Sequence, residues 1–248
     1  MEAEMVNEET IEKLIAMRMR GLAQAFREEI HSGTDELTFA ERFSLLVDRE
    51  WTLRQERKQQ RRLKEAKLPQ PACMEDLDLQ TPRGLDRAFI RSLASCQWIR
   101  DNRNILLTGP TGVGKSYIAC ALANKACREG LSALYIRVPR LFQQLALSHA
   151  DGSYFKFLGK LGKANLLIID DWGFSKLKES ERKDLLEVVE MRSLQGSTLI
   201  ASQLPLEKWH EHFDDPTIAD AVLDRIIHNA YKLQLKGESM RKRRSDLT

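Results

Sequence analysis

The sequence predicts an α/β fold, a central parallel five-stranded sheet flanked by helices, with a small helical domain at the amino terminus. Three observations predict it. Helix-like and strand-like patterns alternate from Thr81 onward, the sign of a parallel sheet covered on both faces. The run Leu166-Leu167-Ile168-Ile169 is apolar at every position, as a strand buried on both faces must be. A glycine-rich run, Gly109 to Ser116, joins an apolar strand to a helical stretch.

In chain order, residues 1–68 read as helical. Ile11, Leu14, Ile15, Leu22, Phe26 and Ile30 follow helical spacing, and Gly33 supplies a stop. Thr38-Phe39-Ala40-Glu41 is a capping-box pattern that opens a second helix. Its stripe Phe39, Phe43, Leu46, Val47 and Trp51 is expected to pack on the first. Pro69 and Pro71 end that helix, so 69–82 reads as a linker and 83–248 as the main domain. There the expected strands are 104–108, 132–137, 166–170, 197–201 and 231–235. The expected helices are 85–99, 115–129, 139–149, 153–161, 179–194, 205–213 and 216–229.

Composition sets bounds. A chain of 248 residues buries a full core with room for an appendage, and 42% apolar with 30% charged residues describes an ordinary soluble protein. No apolar run approaches the length of a membrane span, and the acidic, polar start lacks a secretory signal, so the expected location is the cytoplasm. The four cysteines form no C-x-x-C pair; Cys120 and Cys127 read as small core residues. His210 and His212 flank Glu211 without further ligands and read as surface residues rather than a metal site.

The chemistry lies in two motifs. Gly109-Pro110-Thr111-Gly112-Val113-Gly114-Lys115-Ser116 fits G-x-x-x-x-G-K-[ST] in the strand-to-helix context that a phosphate-binding loop requires. Its glycines let successive N–H groups turn inward on phosphate oxygens, and the following helix adds its positive end. Lys115 is placed for the β- and γ-phosphates of ATP, and the Ser116 hydroxyl for Mg2+. The strand Leu166 to Ile169 then ends in Asp170-Asp171. Two acids ending a buried strand are costly unless they face positive charge. Asp170 is expected to hold Mg2+ through its water shell, and Asp171 to orient or deprotonate the attacking water.

A third feature is charge. Arg54, Arg57, Lys58, Arg61 and Arg62 fall at i, i+3, i+4, i+7 and i+8 and share one helix face. Residues 51–67 hold seven basic side chains against two acidic. Like charges on one face repel, and a phosphate backbone offsets that repulsion. Arg137 and Arg140, beyond the second core strand, are further candidates for a polyanion, and Arg241-Lys242-Arg243-Arg244 forms a basic cluster near the end. No base-reading constellation is visible, so the expected contact is with the backbone of double-stranded DNA.

Together with Leu166 to Gly173, Thr198 to Pro205, Val222-Leu223-Asp224-Arg225 and Gly237 to Arg241, these motifs resemble the IstB type of transposition helper ATPase. These are AAA+ P-loop NTPases related to the DnaC and DnaI helicase loaders. The resemblance covers nearly the whole chain and rests on motif order and spacing. It implies that Gln203 is the polar sensor that positions water against the γ-phosphate. It implies that Arg225 is an arginine finger reaching a neighbouring subunit's nucleotide, and Arg241 a second sensor acting within its own subunit. Implied partners are double-stranded DNA, a transposase and further copies of the chain in an ATP-dependent oligomer, with no membrane. Asp171 stands where many AAA+ members have glutamate, which implies modest intrinsic turnover with ATP acting partly as a timer. Other readings of the same motifs are a replicative helicase loader, a small-molecule P-loop kinase and a nucleotide-switched scaffold. The acid pair suits water better than an acceptor alcohol, and no arginine-rich lid is visible.

Overall fold

The computed structural model describes residues 2–32 and 37–240. The chain divides into two compact units, Met1–Arg61 and Arg62–Thr248.

In the first unit, α1 (Glu2–Ala16) and α2 (Arg20–Ser32) precede α3 (Phe39–Ala66), which runs on into the second. The single helix expected over the stripe from Ile11 to Ile30 is broken, because Arg18 adopts φ 61° between α1 and α2. Helical spacing alone does not register such a break, since the apolar stripe resumes beyond it. Glu50 of α3 caps the start of α2, its Oε2 accepting from the N–H groups of Gly21 at 2.6 Å and Leu22 at 3.1 Å. At the start of α3 the Thr38 N–H donates to Glu41 Oε2 at 2.8 Å, realising half of the capping box. The Glu41 N–H returns to Thr38 Oγ1 at 3.4 Å. The stripe of α3 does not close into a core: Phe39 is 75% exposed and Trp51 64%. Instead Phe43, Val47 and Trp51 line an open apolar groove with Leu14, Met19 and Leu22. Gly33 lies outside the described residues.

In the second unit the end of α3 is followed by α4 (Arg87–Leu93) and α5 (Gln97–Arg100), where one helix was expected. Asp86 caps α4 through the N–H groups of Ala88 and Phe89, and Cys96 at φ 55° separates the two. Then come β1 (Asn104–Thr108), α6 (Lys115–Arg128), β2 (Ala133–Arg137), α7 (Val138–Ala150), α8 (Tyr154–Lys163) and β3 (Leu166–Trp172). After these follow α9 (Glu179–Arg192), β4 (Ser197–Ser202), a 3-10 turn and α10 (Trp209–His212), α11 (Pro216–Ile227) and β5 (Ala230–Gln234). The strands form one five-stranded sheet in the order β2-β3-β4-β1-β5. Every neighbouring pair is parallel.

Alternate side chains of each strand enter two cores. Ile105, Leu107, Leu166, Ile168 and Leu199 pack with the apolar face of α6, whereas Leu106, Leu167, Ile169 and Ile200 pack with α7, α8, α9 and α11. That double burial is the physical reason the strands carry apolar runs. Cys120 and Cys127 are buried in the first core, and burial pushes both thiols up to about 11. His212, expected at the surface, is buried with its ring centroid 6.2 Å from that of Trp172. Trp172, Trp209 and Phe213 are themselves buried and cluster with it, an aromatic group that a count of metal ligands does not reveal. Among the described residues no helix is long and apolar enough to cross a membrane.

Candidate active site

Because β4 lies between β3 and β1, the carboxyl ends of these three strands meet, and each end carries chemistry. Crevices at the carboxyl ends of parallel strands are where open α/β sheets bind ligands. The loop after β1 supplies Gly109 to Ser116, the end of β3 supplies Asp170 and Asp171, and the residue after β4 is Gln203. Thr111, Gly112, Gly114, Lys115, Ser116, Asp170, Asp171 and Gln203 all line one pocket.

The loop needs its glycines. Gly109 has φ 145° and a Cβ there would sit 2.4 Å from the Leu235 carbonyl oxygen. Gly112 has φ 84°, and a Cβ there would meet the Ser239 hydroxyl at 2.2 Å. Met240, the last described residue, donates its N–H to the Gly112 carbonyl at 2.9 Å, so the segment after β5 lies against the loop. Arg241 and the basic cluster it begins lie outside the described residues.

Lys115 opens α6 behind Gly114, whose φ of 100° makes the turn. The ammonium is buried and donates to the carbonyls of Gly109 at 2.7 Å and Pro110 at 2.8 Å. Burial pulls its pKa below the ordinary value, while the charges of Asp170 and Asp171 oppose that fall. Asp170 is 3% exposed and sits between two donors, the Tyr135 hydroxyl at 2.5 Å to Oδ2 and the Asp171 N–H at 2.8 Å to Oδ1. Burial and the neighbouring carboxylate raise the Tyr135 pKa well above its usual value, so the phenol stays a donor.

Asp171 adopts φ 61°, at the irregularity where β3 loses register with β4 between Ile169 and Trp172. The strand runs two residues past the expected end at 170, and the left-handed backbone turns Asp171 out of the pleat. Its Oδ2 meets Arg137 Nε at 2.5 Å. The hydrogen bond and charge of Asp171 raise the Arg137 pKa further. Gln203 Oε1 accepts from Thr111 Oγ1 at 2.7 Å, which ties the loop after β1 to the end of β4.

Two residues at this site escaped sequence reasoning. Tyr135 reads as an ordinary apolar strand position, and only the β2–β3 register brings it to the acid pair. Arg83 lies before the first core helix, yet it is 5% exposed and donates from Nη1 to the Val113 carbonyl at 2.9 Å. A basic residue following a proline carries no pattern that marks it.

Ser116 and Asp170 offer a hydroxyl and a carboxylate, the hard oxygen donors that suit Mg2+, which keeps several waters and needs few protein ligands. Among the described residues no group of three or more His, Cys, Asp or Glu could hold a metal by itself.

Arg225 does not line this pocket. It sits in α11 near the amino-terminal end of β1, its Nη2 3.1 Å from Glu190 and its backbone carbonyl facing the Asn104 amide. In the first unit Arg54 is partly committed, with Nε 2.5 Å from Glu50 Oε1. Burial pushes the Glu50 carboxyl up, but hydrogen bonds from Arg54, Leu22 and Gly21 outweigh it and leave its pKa lowered. Arg57, Lys58, Arg61 and Arg62 follow along α3. Arg140 in α7 donates to Gln143 at 2.8 Å.

A family model described as IstB-like ATP binding protein matches residues 12–248. An insertion-sequence protein of Sinorhizobium fredii, y4pL, named for ATP binding, is 49% identical over 234 residues, 94% of this chain and 96% of the relative. A protein of insertion sequence IS1162 from Pseudomonas fluorescens, similarly named, is 47% identical over 203 residues, 81% of this chain and 88% of its own length. Among solved structures, DnaI superposes with a TM-score of 0.57 at 23% identity, covering 68% of this chain and 95% of that one. The DnaC helicase loader gives 0.55 at 17% identity, covering 66% and 97%. These two show the fold alone.

Proposed function

Since this chain belongs to the family of IstB-like ATP-binding proteins, we propose that it hydrolyses MgATP within an oligomer assembled on double-stranded DNA and thereby assists a transposase. One observation carries the reading. The phosphate loop, the acid pair and Gln203 converge on one pocket, and Arg225 lies outside it, paired with Glu190.

In this reading the N–H groups of the loop and Lys115 bind the β- and γ-phosphates, exchanging the carbonyls of Gly109 and Pro110 for phosphate oxygens. Ser116 and Asp170 would hold Mg2+, with Tyr135 fixing the carboxylate. The chemistry a bound Mg2+ would supply there is positive charge against the triphosphate. Asp171 orients a water whose oxygen bonds to the γ-phosphorus as the bridge to the β-phosphate breaks, giving ADP, phosphate and a proton. Gln203 positions that water. Arg225 of a neighbouring copy meets the charge that develops, a contribution worth about 10³–10⁵ in rate. Arg57, Lys58, Arg61 and Arg62 serve the DNA backbone. The insertion-sequence names of the relatives support transposition over helicase loading.

The test is a mixing experiment. Arg225→Ala alone and Lys115→Met alone should each lose DNA-stimulated phosphate release. An equal mixture should recover part of it, because the first variant keeps its pocket and the second keeps its finger. A mixture as inactive as its components would refute the arrangement in trans.

A further inference from the structure

We propose that Arg83 binds the inner phosphates of the nucleotide alongside Lys115, so that the segment between α3 and α4 takes part in holding a diphosphate as well as a triphosphate. The inference rests on the reading of Gly109 to Ser116 as the phosphate loop. Arg83 lines the same pocket as Gly112, Gly114 and Lys115. Its guanidinium meets the loop at one place. Nη1 donates to the Val113 carbonyl at 2.9 Å and lies 2.8 Å from the point where a Cβ on Gly114 would stand. Gly114 therefore serves twice: its φ of 100° favours glycine, and its missing side chain leaves room for the guanidinium. The N–H groups of such a loop cradle the α- and β-phosphates, whereas its lysine reaches the β and γ. A cation seated at Val113 and Gly114 falls to the inner phosphates.

The chain around Arg83 is fixed from both directions. Ahead of it, Asp78 Oδ1 accepts from the N–H groups of Gln80 at 2.9 Å and Thr81 at 3.1 Å, closing a turn. Arg83 Nη2 donates to the carbonyl of the same Asp78. Behind it, the Arg83 carbonyl accepts from the Lys236 N–H at 2.9 Å. Gly84 follows at φ 76°, where a Cβ would sit 2.7 Å from the Gln234 carbonyl oxygen, so the backbone lies close against the end of β5. A staple between two carbonyls needs only a neutral donor. Arg83 instead places a permanent charge in a buried position, which is costly unless an opposite charge meets it. Asp78 supplies part of that charge. Hydrogen bonds from Thr81 and Gln80 hold its carboxyl at about 2, and the Arg83 charge adds to the fall. Phosphate oxygens in the pocket supply the rest, and a planar guanidinium suits them.

The experiment uses the full chain and measures affinity for ADP and for a nonhydrolysable ATP analogue, beside urea unfolding without nucleotide. Arg83→Gln should weaken both nucleotides by the same factor, about tenfold or more, because the γ-phosphate is not involved. Arg83→Lys keeps the charge but not the fork to the carbonyls of Val113 and Asp78. It should lose stability as Arg83→Gln does, yet retain most of the nucleotide affinity. The proposal is overturned if Arg83→Lys loses affinity as fully as Arg83→Gln, which is the outcome for a staple that only shapes the loop. It is equally overturned if Arg83→Gln binds ADP like the parent. Should Arg83→Gln fail to fold, Arg83→Lys decides against the parent: retained affinity supports the charge, and lost affinity overturns it. Lys115→Met separates this inference from the reading beneath it. Parental affinity in both Lys115→Met and Arg83→Gln sinks the phosphate-loop reading and the proposal with it; weakening in Lys115→Met alone sinks only the proposal.

Discussion

Lys115→Met keeps the aliphatic stem of the side chain and removes its charge. In the free protein the change should be nearly neutral, within about 1 kcal/mol. Two loop carbonyls, of Gly109 and Pro110, lose a donor, but a buried ammonium whose charged form is disfavoured is removed. With nucleotide the balance differs. A hydrogen bond to a charged group contributes about 1.5–3 kcal/mol, and contact with two phosphates doubles it, so affinity should fall at least ~100-fold. At MgATP about 100-fold above its dissociation constant the parent gains about 2.7 kcal/mol, and the variant at the same concentration about 0.4 kcal/mol. At roughly 2–4 °C per kcal/mol for a chain of this size, melting should rise by about 5–11 °C for the parent and about 1–2 °C for the variant. Calorimetric melting with and without MgATP reads both. Equal shifts for the two proteins would refute the assignment of Lys115 to the phosphates.

Tyr135→Phe removes the donor to Asp170 Oδ2 and should cost about 1.5–3 kcal/mol in urea unfolding, with roughly tenfold more Mg2+ needed for half-maximal hydrolysis. An unchanged Mg2+ requirement would separate Tyr135 from the metal. Burial lowers the His212 pKa below 6.5, with the Lys176 charge adding to it, so the unfolded chain binds the proton first as pH falls. Stability should therefore decline as pH drops below about 6.5, and His212→Gln should flatten that slope in denaturant titrations at pH 5 and 7. Charge reversal at Arg57, Lys58 and Arg61 should weaken DNA binding and lower the salt slope by about 0.9 for each phosphate no longer neutralised. Unchanged affinity and slope would place the DNA-binding surface elsewhere.

Strand positions in the sheet were legible because a strand buried on both faces carries an apolar run, as Ile105–Leu107 of β1, Leu166–Ile169 of β3 and Leu199–Ala201 of β4 do. Backbone reversals were less legible. Arg18, Cys96 and Asp171 take positive φ without being glycine, and nothing in their side chains announces it. The stripe Phe39, Phe43, Val47 and Trp51 shows that periodicity identifies an apolar face without saying what covers it. At the site, the phosphate loop and acid pair were visible as contiguous motifs. Tyr135 and Arg83 were not, because their roles come from strand register and from a segment folding back on the loop. The pairing of Arg137 with Asp171 has the same origin, since the two lie on adjacent strands but far apart in sequence.

The most direct measurement compares phosphate release from MgATP by the parent and by Asp171→Asn, with DNA present and nucleotide affinity recorded on the same samples. The predicted result is release at least about 100-fold slower in the variant with affinity unchanged. Release at the parental rate would contradict the account.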